Sequence, residues 1–275
     1  MTVHTHALRL PRPRIVHALV RRDYLVGRSY RLSLVLDPFF GVLNLLVYYF
    51  ITKTFPQATT VALGGAPSYF AFAAVGVALS LVVQEASYRV ASRVREEQLT
   101  GTLEALVAQP ITAFELSLGM AGFYLLFAMM RAALYLTVAG VWLGVDFGEA
   151  DWLGFAAMLA ATAAAMLGIG IALAALVLLL RRAEVVVGIV TLLLALAGGA
   201  FFPVEVLPGT LQSISAVVPS RFAYDGVRSA LFEGQGWAGD AARLMLFAIA
   251  GLPLAVLAFK GALLRAKKRG TLATY

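Results

Sequence analysis

The polar and apolar positions of the chain fall into long blocks, with little of the period-two alternation of a half-buried strand. A hydrocarbon core of roughly 30 Å takes about 20 helical residues to cross. Six blocks of that order carry few or no charges: residues 36–55, 67–83, 114–143, 152–180, 185–202 and 241–264. Each predicts a membrane-spanning helix. The second is short, and the third and fourth are long enough to tilt or to project beyond the bilayer.

Three stretches depart from this pattern. Over residues 14–31, apolar Ile15, Val16, Leu19, Val20, Tyr24 and Leu25 are grouped between Arg21, Arg22 and Arg28, which predicts an amphipathic helix lying in the membrane interface, its arginines toward anionic headgroups. Residues 84–115 are too charged for lipid and too long for a turn. There, residues 89–98 continue the second span as helix, Gly101 permits a sharp break, Thr102 caps a short helix over 103–108, and Pro110 terminates it. Leu103, Leu106 and Val107 fall near one side of that helix, so it is expected to dock, with Glu96, Glu97 and Glu104 offered to a neighbour. In residues 198–240, Gly198 and Gly199 loosen the end of the fifth span and Phe201, Phe202 and Pro203 end it. Two apolar segments of about 12 residues follow, each too short to cross a bilayer: 207–218, opened by Pro208, and 219–232, opened by Pro219, a favourable first-turn residue. They predict a pair of short helices dipping into the outer leaflet. In the second, Phe222, Val227 and Leu231 share a face, while Arg221, Asp225 and Arg228 are spaced to pair along another.

Composition places the chain in one class. Of 275 residues, 61% are hydrophobic and 13% charged, against roughly 45–50% and 25% in ordinary globular domains. Mean hydropathy is +0.85. A soluble fold of this size could not hide that much apolar surface, so the sequence specifies a polytopic helical membrane protein. The lack of cysteine excludes a disulfide scaffold and leaves the redox compartment open; the abundance of large apolar side chains excludes disorder.

The net charge of +7 matters through its placement. Arg9, Arg12, Arg14, Arg21, Arg22, Arg28 and Arg31 precede the first span; Arg89, Arg93 and Arg95 follow the second; Arg181 and Arg182 follow the fourth; Lys260, Arg265, Lys267, Lys268 and Arg269 end the sixth. Only Lys53, Arg221, Arg228 and Arg243 fall on the other side, with Arg131 inside a span. By the positive-inside rule both termini are cytoplasmic. Trp142, Trp152 and Trp237 fall at predicted outer ends, joined by Tyr48, Tyr49, Phe55, Tyr69 and Phe70, either as an interfacial aromatic belt or as the lining of an exit for an amphiphilic substrate. The first 30 residues lack the apolar core and cleavage site of a signal peptide, and the tail is expected to be retained. His4, His6 and His17 lie in it without a carboxylate or cysteine set, so no metal site is expected. Arg131 is costly inside a span. It is expected either to pair with a carboxylate or backbone carbonyls, near the re-entrant helices, or to contact an anionic or lipid-headgroup substrate.

The residues Glu97-Gln98-Leu99-Thr100-Gly101-Thr102-Leu103-Glu104-Ala105-Leu106, with Pro110, resemble the E-x-x-x-G-T-L-E-x-L-then-proline motif of the permease subunits of the ABC-2 family of ATP-binding-cassette transporters. Phe202-Pro203 and Leu207-Pro208, with Leu211, Pro219, Asp225, Gly226 and Arg228 downstream, resemble a second motif of the same family. The resemblance covers almost the whole chain. It implies an all-α fold of six transmembrane helices, with the interfacial amphipathic helix, a cytoplasmic coupling helix (Glu97, Gly101, Thr102, Leu103, Glu104, Leu106, Pro110) inserted in an ATPase subunit, and two re-entrant outer helices (Phe202, Pro203, Leu207, Pro208, Pro219, Asp225, Arg228). The corresponding division is 1–33 for the tail and interfacial helix, 34–265 for the transmembrane domain and 266–275 for the C-terminal tail. No phosphate-binding G-x-x-x-x-G-K-[ST] loop, H-E-x-x-H or G-x-S-x-G motif is present. The chain is therefore expected not to be an enzyme by itself, with ATP and Mg²⁺ held by two partner ATPase subunits and a second permease copy completing a homodimer in the plasma membrane. The expected activity is export of a hydrophobic or amphiphilic compound, such as a drug, antibiotic or lipid. Export of a polysaccharide or lipid-linked glycan is the alternative; an ion-driven carrier, which would usually carry acidic or broken intramembrane sites, and a membrane scaffold rank below both.

Overall fold

The computed structural model describes residues 11–54, 63–180 and 183–270; the expectations placed on His4, His6, Arg9, Phe55, Arg181 and Arg182 lie outside the described residues. Among these residues the fold is helical throughout. Helix α1 (Pro13–Ser29) opens on a proline, whose fixed φ suits a first turn, and Tyr30 separates it from α2 (Arg31–Thr54). Helix α3 (Tyr69–Leu99) begins at Ser68, whose hydroxyl accepts from the Ala71 N–H, and runs without a break through the charged residues that follow its apolar half. Helix α4 (Leu103–Ala108) is a short turn before α5 (Ala113–Val141). Helices α6 (Trp152–Leu179) and α7 (Ala183–Ala197) follow, then α8 (Gly209–Ser215), α9 (Pro219–Arg228) and α10 (Trp237–Arg269).

Among the described residues five helices, α2, α3, α5, α6 and α10, are long and apolar enough to cross a membrane. The fifth of the six expected spans is α7, which has only 15 residues, about 22 Å at the usual rise. It stops early because the backbone leaves the helix after Ala197 and drives the Ala200 carbonyl against α3 at Gly76, where a Cβ would fall 1.7 Å from that oxygen. Phe201 and Phe202 thus belong to the turn beyond α7.

Helices α3 and α6 form the centre, with 83% and 72% of their apolar windows buried, while α2 stands at the periphery with 6%. Two apolar clusters stack along them. One joins Leu79, Tyr135, Met158 and Leu194 with α9 residues Tyr224 and Val227. The other joins Val94, Leu103, Met120, Ile171, Val187 and Phe259. The second marks the end carrying α1, α4 and the C-terminal lysines and arginines of α10, here termed the basic end. The first reaches the far end, where α8 and α9 lie.

Candidate functional site

At the basic end the chain turns sharply between α3 and α4. Gly101 sits at φ +72°, a left-handed conformation that glycine adopts without the Cβ penalty. Thr102 does not cap α4 as expected: its side chain makes no cap hydrogen bond. Its hydroxyl instead donates back to the Glu97 carboxylate and meets Thr100 Oγ1 at 2.8 Å. Leu103 is fully buried, and Leu106 and Val107 pack against the same cluster. The apolar side of α4 is therefore satisfied within this chain, and the face left to solvent carries Glu104, Ala105 and Ala108.

Glu97 was expected to face a neighbouring subunit and does not. Only 8% of its side chain is exposed, and Arg22 Nη2 of α1 reaches its Oε1 at 3.1 Å. Arg93 Nη2 lies 3.5 Å from the same oxygen and 3.0 Å from Asp23 Oδ1, a carboxylate of α1 that is itself buried. Arg22 Nε also pairs with Asp23 at 3.0 Å. Helices α1 and α3 are thus joined by one charged cluster, which reaches the residue before α4 through the Thr102 hydroxyl. Arg95 Nε extends the ties to Glu184 of α7 at 2.6 Å.

A second clasp holds the other end of α4. Thr112 and Glu115 form a capping box at the start of α5, satisfying its first N–H groups reciprocally. The same Glu115 carboxylate accepts from the Arg12 backbone N–H at 2.8 Å and from Arg12 Nε at 2.9 Å. Arg12 Nη2 also donates to the Pro110 carbonyl. Pro110 lies beyond α4, whose last residue is Ala108, and its carbonyl ties the exit of that helix to the segment preceding α1.

At the far end, α8 and α9 close over the C-terminus of α7, whose last carbonyls are met partly by the turn, through the N–H groups of Gly198, Gly199 and Ala200, and partly by side chains. Ser220 Oγ donates to Leu194 O at 2.6 Å, and Ser215 Oγ donates to Ala197 O. Arg228 Nη2 donates to Gly199 O at 2.8 Å, Ala200 O at 3.3 Å and Phe72 O at 3.4 Å. Its guanidinium lies over the Phe72 ring, 3.5 Å from the centroid. Arg221 and Asp225 do pair, at 3.3 Å on the exposed side, but Arg228 leaves that expected row: it is 1% exposed and serves the turn after α7. Phe202 and Leu207 are half-buried, Pro203 is buried, and Pro208 precedes α8 while Pro219 opens α9. Tyr69 donates to Phe201 O at 2.9 Å and Tyr48 stacks on its ring, and Phe70 is buried, so these aromatic residues close the far end from within. Trp142 and Trp152 stay exposed. Trp237 donates from Nε1 to Asp151 Oδ2 at 2.9 Å, joining α10 to the cap of α6. The Gly154 N–H, then this indole, hold the Asp151 carboxyl below its ordinary value.

Arg131 lies away from the re-entrant helices. It meets Glu85 of α3 at 3.5 Å and the Phe127 ring at 4.9 Å. Glu85 itself binds Arg89 through two nitrogens, at 2.7 and 2.9 Å. Arg12, Asp23, Glu85 and Arg89 take part in these contacts without having been singled out for them by the sequence; each partner is distant along the chain or sits at an ordinary i,i+4 spacing. No group of three or more metal-ligating side chains occurs among the described residues.

Among curated proteins no sequence matches the chain. A family profile described as ABC-2 type transporter matches residues 16–232, a stretch that contains the α1 clasp, the α3–α4 turn, α4 itself and the far-end cap. With that profile matched over most of the chain, this multi-pass protein belongs to the ABC-2 type transporter family.

Proposed function

We propose that the chain is the permease of an exporter that moves a hydrophobic or amphiphilic compound out of the cell, driven by ATP hydrolysed with Mg²⁺ in separate nucleotide-binding subunits. The observation that carries this reading is the mounting of α4. Its inner face is fastened to α3 through Leu103 and the Thr102–Glu97 bond, and its exit is fastened to the residue-12 segment through Pro110. Its outer face presents Glu104, Ala105 and Ala108. A short helix held at both ends and bare on one side suits a part that is pushed by a partner and passes the displacement on.

In this reading two permease copies and two ATPase subunits form the working unit, with the basic end and both termini cytoplasmic. Closure of the ATPase pair displaces α4. The charged cluster passes that motion to α1 and α3, and Arg12 passes it to α5. Helices α8 and α9 form the outer cap of the pathway. This chain carries no phosphate loop, so its own contribution is mechanical: it couples, shapes the pathway and seals it.

Co-purification of an ATPase with the permease and vanadate-sensitive export from membrane vesicles test the assignment. Glu104→Lys places a positive charge on the bare face of α4. In this reading Glu104 faces a basic groove of the partner, so export per ATP hydrolysed should fall by at least about tenfold, since one like-charge contact costs several kcal/mol, while folding of the permease is unchanged. Normal export and normal complex formation in that variant would refute the contact.

A further inference from the structure

We infer that the seam between α2 and α5 is a headgroup site for a zwitterionic, phospholipid-like amphiphile, Arg131 taking the phosphodiester and Asp37 the ammonium group. This deepens the export reading by naming the polar end of the cargo, and it rests on that reading only for the role of cargo.

The register of the seam is set by Tyr135. Its hydroxyl seats against Gly41, where a Cβ would fall 1.4 Å from the oxygen. Both helices run from the basic end to the far end: α2 follows the interfacial α1 and brings Tyr49 onto Phe70, 5.3 Å between rings, at the start of α3. Asp37 precedes Gly41 by one turn, and Arg131 precedes Tyr135 by one turn, so the two charges come to the same level. Both act electrostatically on the Tyr135 hydroxyl.

Arg131 is only partly balanced in place, by a Glu85 carboxylate it shares with Arg89, and Asp37 has no ion pair among the described residues. Arg89 takes the Glu85 carboxylate with two short bonds, leaving Arg131 one long hydrogen bond to it, at 3.5 Å, beside the Phe127 ring. Arg131 Nε is buried with no hydrogen-bond partner. Asp37 is exposed and makes no hydrogen bond or ion pair among the described residues. Isolated charges at membrane depth are expensive and are normally paired.

The depth suits a headgroup drawn inward from the leaflet surface. Helix α1 packs on α5 at Gly119 and Phe123. Arg131 lies two turns beyond Phe123, about 12 Å along the helix, and Asp37 about 9 Å beyond Arg31. Further along, Leu43 and Val47 of α2 and Leu134 of α5 are exposed. Opposite charges at one level and apolar side chains beyond them match a zwitterionic head with a hydrocarbon tail.

The test uses the purified full-length permease in detergent, without ATPase, titrated with phospholipids bearing ethanolamine, choline or glycerol headgroups and followed by native mass spectrometry. The ethanolamine lipid should bind tightest. Arg131→Met should weaken all three by at least about tenfold, and Arg131→Lys should recover part of that loss, since a charged hydrogen bond is being removed and partly restored. Asp37→Asn should abolish the preference for ethanolamine over glycerol while leaving the glycerol lipid bound. Equal binding of all headgroups by the wild type, or unchanged binding in Arg131→Met, would overturn the site. So would an exchanged pair, Asp37→Arg with Arg131→Asp, that regains the melting temperature each single change loses, because the two residues would then be partners of one another. ATP-driven movement of a fluorescent ethanolamine lipid by the assembled transporter, lost in Asp37→Asn, supports the lipid as cargo. The same binding pattern without such movement supports the site as one for a resident bilayer lipid and removes that class from the exported compounds.

Discussion

The two ends of the bundle are held by different chemistry. At the basic end the charged groups that join α1 to α3 have several partners: Glu97 meets Arg22, Arg93 and Thr102, and Arg93 meets Asp23, Glu96 and Glu97. At the far end Ser215, Ser220 and Arg228 each donate to backbone carbonyls around the close of α7. Although Glu97 and Asp23 are buried, the cluster gives each of them more than one cationic neighbour, so a group that loses one partner keeps another and is not left as a bare buried charge. A donor bound to carbonyls in a dry site has no charged neighbour to take its place, and at Ala197 O and Gly199 O its loss removes the side-chain bond that serves the carbonyl. In the proposed cycle, the contrast suits the basic end to movement and the far end to retention.

Arg228→Ala is the most direct way to break that contrast. It strips a buried guanidinium from three carbonyls and from the Phe72 ring, and the expected loss is about 3 kcal/mol or more, seen as a large drop in melting temperature in detergent. Arg221→Ala, on the exposed side of the same helix, is the control. If the two variants melt alike, the far end is not held by Arg228. A smaller effect is expected from Glu97→Gln, about 1–2 kcal/mol, because Arg93 retains Asp23 and Glu96. Its sharper signature is functional: a double-mutant cycle of Glu97→Gln with Arg22→Gln should give a coupling energy in stability and a joint loss of export per ATP. Strict additivity would separate α1 from the α3–α4 cluster. The smallest effect is expected from Asp151→Asn, which keeps an acceptor for Gly154 but replaces one carboxylate oxygen with an amide nitrogen. Because the Asp151 carboxyl is held below its ordinary value, its contribution is present above the unfolded pKa and disappears as pH falls through the folded one. The melting difference between wild type and Asp151→Asn should therefore vanish in acid; a difference that persists there would place the effect in packing.

Much of the architecture was legible in residue order because membrane crossing depends on length and polarity alone. Helices α2, α3, α5, α6 and α10 follow the apolar blocks, and Pro208 and Pro219 mark the two short helices to within a residue. The Gly101 break was equally visible, since few residues tolerate that backbone. What periodicity missed has a common cause. Arg228 is spaced to pair with Asp225, and a helical wheel cannot register that the end of α7 offers better acceptors from elsewhere in the chain. Glu97 reads as a solvated acid at a helix end until α1 brings Arg22 beside it. The apolar stripe of α4 is visible in the sequence; that it is buried against its own bundle is a tertiary fact.

Helix α3 is one unbroken rod from Tyr69 to Leu99, and that continuity has a mechanical consequence. Gly76 bears on the Ala200 carbonyl near one end, and Leu99 lies about 34 Å away along the axis. With that contact as fulcrum, a tilt of about 5° sweeps the Leu99 end through about 3 Å. The motion amplifies away from the pivot, so a displacement of several ångströms at α4 arrives at Gly76 as little more than a change of angle. In the proposed cycle, a stiff arm of this kind lets the α4 end travel while the Gly76 end stays in register.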